Sequence, residues 1–249
     1  MNRFFVGKTC FEGDRVRLIE GQAHQIYRVL RLQPDDRIKV LDNTGQEYEV
    51  VLQSVTARNV VGTILESYTA EGEPKTRVTL YQSILARDKF EWVLQKATEV
   101  GACKVVPVLT ERSLVRDKRR FKPERLLRWQ RIVTEAAEQS HRARIPEIAE
   151  PVPLSQALKT LPSYDRALIA CPHRATEKLG TVLQDLPTSS SIALYIGPEG
   201  GFSKQEVDLV TQAGALPINL GPRILRTETA AIVAAAFILY EQGDFQSLP

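Results

Sequence analysis

Three short apolar runs, RALIAC (166–171), SIALYIG (191–197) and LPINLG (216–221), each break off into a polar loop. Between the second and third stands SKQEVDLVTQAG (203–214), which carries a helical spacing, a Ser203–Glu206 capping signature and a terminal Gly214. The same rhythm begins upstream. RVTLYQSI (77–84) reads as a strand. DKFEWVLQKATEVG (88–101) reads as a helix with Phe90, Val93, Leu94 and Ala97 on one face, and KVVPVLT (104–110) as the next strand. Pro123 opens a further helix whose Leu126, Trp129, Val133 and Ala136 share a face, and ETAAIVAAAFILYEQG (228–243) reads as the last one. Strands alternating with helices of this length restrict the region to an α/β fold with a mainly parallel sheet.

The first 70 residues follow a different pattern. RVRLIE (15–20), RIKVLDNTGQEYEVVLQSV (37–55) and NVVGTILESY (59–68) are β-branched runs in partial alternation, with DNTG (42–45) as a hairpin turn. Between them GQAHQIYRVLRLQPDD (21–36) predicts a short helix with Ile26, Val29 and Leu30 on one face, ending before Pro34. Several short strands and one helix predict a small barrel. TAEGEPKTR (69–77) is polar and carries Gly and Pro, so it reads as a linker. Two domains follow, at 1–72 and 76–249.

Net charge is +3, but its distribution matters more: residues 111–146 hold 11 Lys and Arg against 5 Asp and Glu. Such a concentration fits one face meeting a polyanion, with a solvated helix face as the alternative. Cys10, Cys103 and Cys171 are far apart, without a CxxC pair or a Cys/His cluster, so neither a metal site nor a disulfide scaffold is expected. The N-terminus lacks the apolar core of a signal peptide, and the longest apolar run, 230–240, is too short to span a bilayer. A soluble cytoplasmic protein is expected.

In a parallel sheet, ligands bind beyond the carboxyl ends of the strands. CPHRAT (171–176), GPEGGF (197–202) and GPRILRTET (221–229) leave such ends, and form one site if their strands are neighbours. GPEGG matches neither a phosphate-cradling GxxxxGK[ST] loop nor GxGxxG, which argues against an ATPase or a dinucleotide enzyme. In LGPRILRTETA (220–230), Thr227 suits a helix cap and Glu228 the positive helix end. Arg223 and Arg226 are not explained that way, because cations are unfavourable at a helix N-terminus.

IGPEGGFSKQE (196–206) followed by LGPRILRTETA resembles the signature of the bacterial ribosomal-RNA uracil-N3 methyltransferases of the SPOUT superfamily. HQIYRVLRL (24–32), QKATEVGACKVVPVLTERS (95–113) and EAAEQSHRARIPEI (135–148) fit as well, so the similarity spans nearly the whole chain. The resemblance implies an N-terminal PUA-like β-barrel, a C-terminal α/β domain with a deep trefoil knot, a homodimer, and S-adenosylmethionine as methyl donor. It implies cofactor contacts from Ile196, Gly197, Glu199 and Gly201 in one loop and from Leu220, Gly221, Ile224, Leu225 and Thr227 in the next. The substrate it implies is a uridine in 16S rRNA or the small ribosomal subunit. The alternatives are another RNA position or a catalytically silent RNA-binding ribosome-assembly protein.

Uracil N3 must lose its proton for the methyl group to bond there, leaving charge on O2 and O4 that a cation stabilises. Arg226 is the candidate for that cation. Glu199 and Glu228 both lie near enough in the motif to act as the base, and Glu199 is carried as the catalytic candidate, although each has a structural role open to it. No cysteine nucleophile is required. For RNA contact, Arg112, Arg116, Arg119, Arg120, Arg142 and Arg144 come from the basic region. Arg3, His24, Arg28 and Arg31 come from the barrel.

Overall fold

The computed structural model describes residues 1–113, 121–171, 173–174 and 177–245. The chain forms two compact units, residues 1–73 with 137–145, and residues 74–136 with 146–249.

The first unit carries β1 (Arg3–Phe5), β2 (Phe11–Glu12), β3 (Arg15–Ile19), α1 (Glu20–His24), β4 (Arg37–Leu41), β5 (Gln46–Val55) and β6 (Asn59–Thr69). Its six-stranded sheet runs β1-β4-β5-β6-β3-β2 and curls as a partial barrel. Two register shifts between β5 and β6, at Glu49/Val50 and Leu52/Ser54, supply the irregularities that bend such a sheet. The period-2 pattern decides what is inside: Val16 and Leu18, Ile38 and Val40, and Val50 and Leu52 fill one core with Phe4 and Ile26. The DNTG turn joins β4 to β5 as expected, with Asp42 Oδ1 accepting from Thr44 N at 2.8 Å.

The predicted helix over 21–36 needs correction. After α1 the backbone widens into a π-helix, Gln25–Leu30, which ends at Arg31 in the left-handed region (φ 56°). A π turn holds more residues than an α turn, so an i, i+3, i+4 stripe no longer stays on one side. Ile26 is buried, but Val29 is exposed.

Residues 137–145 belong to the first unit, although chain order alone places them in the second. Ala137 packs with Phe5 and Leu41, and Glu138 Oε1 accepts from Phe5 N at 2.9 Å.

The second unit carries β7 (Arg77–Ser83), α2 (Arg87–Val100), β8 (Lys104–Leu109), most of α3 (Pro123–Gln139), β9 (Glu147–Ile148), β10 (Val152–Pro153), α4 (Leu154–Ala157), β11 (Arg166–Ala170), β12 (Glu177–Lys178), α5 (Leu179–Leu183), β13 (Ser191–Ile196), α6 (Lys204–Gln212), β14 (Leu216–Asn219) and α7 (Thr227–Glu241). The sheet order is β10-β8-β7-β13-β11-β14-β12, with β9 on β8, and every pair is parallel. The central strands are buried on both faces, the condition for near-continuous apolar runs rather than alternation. Phe90, Val93, Leu94 and Ala97 of α2 are all buried, as the spacing predicted.

The α/β class with a mainly parallel sheet is the expected one. The last helix shows how the chain closes it: α7 starts after the outlying strand β14, yet packs against α2, β7 and β13 nearer the middle. Helical spacing puts Ile232, Ala235, Ala236 and Leu239 on one stripe of α7, of which Ala235 and Leu239 are buried while Ile232 and Ala236 are half-buried. No helix among the described residues is long and apolar enough to cross a membrane.

Candidate active site at the carboxyl ends of the parallel strands

The loops after β13, β11 and β14 meet because these strands are neighbours and parallel, with Ile169 in register with Tyr195 and Ala170 with Ile218. Their carboxyl ends therefore lie on one edge of the sheet, where they enclose a cavity of about 690 Å³. That size falls within the range of small-molecule sites. Beneath it, Tyr81 of β7 and Tyr195 of β13 stack with ring centroids 4.4 Å apart. Burial pushes both phenols up, so they stay protonated.

The second loop is shaped by its glycines. Gly201 takes φ 66° and its N–H closes a turn onto Pro198 O at 2.8 Å, a conformation that side chains resist. At Gly197 a Cβ would meet Phe202 N and Phe202 Cδ2 at 3.1 Å, so the loop folds this tightly only without one. Segment 110–113 braces it twice. Arg112 Nη1 donates to Gly200 O at 2.8 Å, and Glu111 N donates to Glu206 Oε1 at 2.8 Å. The other oxygen of Glu206 accepts from Ser203 N at 2.8 Å, completing the capping box expected at α6.

Thr227 does not cap α7, contrary to expectation: the N-cap position is Arg226, and no side chain caps that end. The Thr227 hydroxyl instead donates to Gly197 O at 2.5 Å and accepts from Gln82 Nε2 at 3.4 Å. It ties the third loop to the second and to β7, a link between residues too far apart in sequence for local rules to find.

Of the residues carried as cofactor contacts, Ile196, Gly197, Glu199 and Gly201 line the cavity from the second loop, and Leu220, Ile224, Leu225 and Thr227 from the third. Gly221 does not line it; it is exposed and its N–H is held by Asn219 Oδ1 at 2.9 Å. Cys171 and His173, left out of the sequence-based set, line the cavity from the first loop. The neighbouring strand ends were the available signal for them. Burial pushes the Cys171 thiol up. Lys89 at the start of α2 also lines it, a contribution from a helix on the far side of β7 in sequence.

The charges of the site are of two kinds. Glu199 is ion-paired with Lys89 at 3.3 Å, and both are more than a third exposed or close to it. Arg223 and Arg226 form no ion pair or side-chain hydrogen bond with the described residues. Glu228 Oε2 is buried and accepts no hydrogen bond from them.

The RNA contacts predicted from sequence separate as well. Arg3 and Arg142 need correction, because both are withdrawn into the first unit. Arg3 Nη1 pairs with Glu47 at 2.5 Å with both side chains 6% exposed, and Arg142 pairs with Glu73 at 2.6 Å and is 3% exposed. Arg144 is exposed but donates to Thr44 O at 2.5 Å. Arg112 is exposed at the cavity. His24, Arg28 and Arg31 are exposed, with the Arg28 guanidinium 5.2 Å from the Tyr27 ring centroid. Arg116, Arg119 and Arg120 lie outside the described residues. All three cysteines are free, and no group of three metal-ligating side chains occurs among the described residues.

Residues 72–239 match the model of the RNA methyltransferase domain, and residues 18–65 that of the RNA methyltransferase PUA domain. The chain belongs to the RNA methyltransferase family. Among its relatives, ribosomal RNA small subunit methyltransferase E of Synechocystis is 36% identical over 90% of this chain and 72% of its own length. The Bacillus subtilis protein of the same name is 32% identical over 97% of both chains. The crystal structure of ribosomal RNA small subunit methyltransferase E from Neisseria gonorrhoeae, bound to S-adenosyl methionine, superposes with a TM-score of 0.87 at 34% identity, covering 96% of this chain and 97% of that one. The fold and the methyltransferase class expected from the loop motifs are thus those of an RNA methyltransferase with a PUA domain.

Proposed function

We propose that this RNA methyltransferase transfers a methyl group from S-adenosylmethionine to N3 of a uridine in small-subunit ribosomal RNA. The observation that carries the reading is the joining of three strand-end loops around one cavity lined by Arg226, which has no ion pair among the described residues, and by Glu228, whose Oε2 has no donor among them. The cavity suits the donor: Ile196, Ile218 and Leu225 offer apolar surface to a purine, and the glycine loop offers backbone groups to its polar edges.

When bound, the donor supplies a methyl group already activated by the positive sulfur. The protein supplies alignment and dryness. The 197–203 loop is fixed by Thr227, Arg112 and, through α6, by Glu206, so the cavity wall is set before the substrates arrive. Arg226 then presents its guanidinium to the oxygen where charge develops as N3 gives up its proton. A uridine within folded rRNA must be extruded to reach such a cavity. His24, Arg28 and Arg31 give the first unit an exposed basic surface for phosphates. This function belongs in the cytoplasm, where ribosomal subunits are.

We also assign a homodimer. Support comes from α7, which is apolar at every position from 230 to 239, and from large apolar side chains left exposed on it and on α2: Phe237, Tyr240 and Trp92.

The test is methylation of small subunits from a strain lacking this enzyme, with labelled donor, followed by nucleoside mass spectrometry. N3-methyluridine is the expected product. A folded protein that releases no heat with S-adenosylmethionine in calorimetry would support the silent RNA-binding alternative. A methyl group on another base or on ribose would reassign the target.

A further inference from the structure

Seven ionisable side chains besides Glu228 share the cavity: Lys89 on α2, Arg112, Cys171 and His173 on the first loop, Glu199, and Arg223 and Arg226. Glu199 and Lys89 satisfy one another. Arg112 holds a loop carbonyl. His173, Arg223 and Arg226 stand in water. Glu228 differs from all of them. Its Oε2 is out of solvent, and no N–H or O–H of the described residues points at it.

A buried carboxylate oxygen left without a donor costs free energy, more for a charged group than for a neutral one. Such an atom calls for an explanation, and among the described residues Glu228 Oε2 is the one that belongs to a side chain lining this cavity. It sits two residues after Arg226, in the first turn of α7, where the helix N-terminus favours negative charge. The same cavity is thus lined by a donor, the Arg226 guanidinium, and by an acceptor, the Glu228 carboxylate.

That pair complements one particular chemistry. The edge of a uracil alternates carbonyl, N–H and carbonyl, so a guanidinium on a carbonyl leaves the neighbouring N–H to be met by an acceptor. The ring nitrogen of cytosine carries no proton there and offers a lone pair, which a carboxylate repels.

We propose that Glu228 accepts the ring N–H of the target base and takes up its proton as the methyl group is transferred. The inference rests on the reading of the target as a uracil N3. The N3–H bond breaks, its proton goes to Glu228 Oε2, and its electron pair forms the bond from N3 to the methyl carbon. The carbon–sulfur bond breaks, and its pair returns to sulfur, leaving a neutral thioether. The proton on Glu228 is then lost to solvent when the product leaves.

The experiment uses the full chain carrying Glu228→Gln, which preserves shape and removes the proton acceptor. The wild-type product is identified first. A methyl group found elsewhere than on an imide nitrogen overturns the proposed function and this inference with it. N3-methyluridine from the wild type together with Glu228→Gln turning over within threefold of it overturns the inference alone.

The expected single-turnover rate is lower by about 100-fold or more, the size of a general-base contribution. Raising the pH should restore it steadily as the ring ionises unaided, while the wild-type rate levels off. A pH profile parallel to the wild type would overturn the proposal, as would a full rate loss in His173→Gln with Glu228→Gln still active. Two readouts do not depend on turnover. With S-adenosylhomocysteine present, the wild type should bind the target RNA segment several-fold more tightly with uridine than with N3-methyluridine, and Glu228→Gln should lose that preference. The thermal midpoint of Glu228→Gln should equal or exceed that of the wild type. A lower midpoint with unchanged base preference would make Glu228 a structural helix-end residue and overturn the assignment.

Discussion

Glu73 in the first unit and Glu228 in the second are both carboxylates drawn into the protein, and they are treated in opposite ways. Glu73 is saturated. Its Oε1 accepts from Arg142 Nε at 3.0 Å, Ala143 N at 3.0 Å and Arg144 N at 3.1 Å, and its Oε2 from Arg142 Nη2 at 2.6 Å. Glu228 Oε2 has no donor among the described residues. The arginines repeat the contrast: Arg3 and Arg142 are buried against carboxylates, while Arg226 lines a cavity, exposed and with no ion pair among the described residues. Charges that hold the fold are neutralised on the spot, and the charges proposed to meet the substrates are left with capacity to spare. Residue type distinguishes neither pair; their surroundings do.

This contrast breaks most visibly at Glu73. Replacing it with Ala leaves Arg142 buried without its carboxylate, which should cost about 3 kcal/mol or more in urea denaturation. Loss of less than about 1 kcal/mol would mean the pair is not structural. Arg226→Ala should leave stability and cofactor affinity nearly unchanged in calorimetry, yet lower turnover by about 100-fold, as removal of one oxyanion-type donor does. Equal losses in affinity and turnover would move Arg226 into binding.

Thr227→Val keeps the volume and removes the hydroxyl between Gly197 and Gln82. About 1 kcal/mol of stability should be lost, with a weaker cofactor dissociation constant because the two loops are no longer tied. Unchanged affinity would show that the tie is not needed to shape the cavity. The smallest effect is expected on the basic surface. Arg31→Ala should lower the slope of log affinity for RNA against log salt by about 1 if it neutralises a phosphate, whereas Arg142→Lys should leave the slope as it is. A change of slope for Arg142 would place that residue at a phosphate rather than in the buried pair with Glu73.

Local chemistry alone accounts for much of the molecule. The apolar runs at 77–84, 104–110 and 191–197 are strands because both of their faces are buried, 166–171 and 216–221 flank them with partly buried ends, and the helices between them are set by period and cap, as at Ser203 and Glu206. The hairpin at 42–45 follows from Asp42 and its turn. These depend on neighbours a few residues away. The loops of the site were legible for the same reason, since a strand's end fixes where its loop emerges.

Where local signals misled, the partner lay far along the chain or the backbone left its regular winding. Thr227 looked like a cap and is a tether to Gly197, 30 residues earlier. Arg3 and Arg142 looked like surface cations, but their carboxylates stand 44 and 69 residues away. Val29 followed an α-helical period that the π turn broke. Sequence by itself determined which segments become strands and helices, because burial pattern and capping act over one or two turns. Tertiary structure alone decided which charges are spent and which are free, because desolvation and pairing depend on what the folded chain brings within a few ångströms.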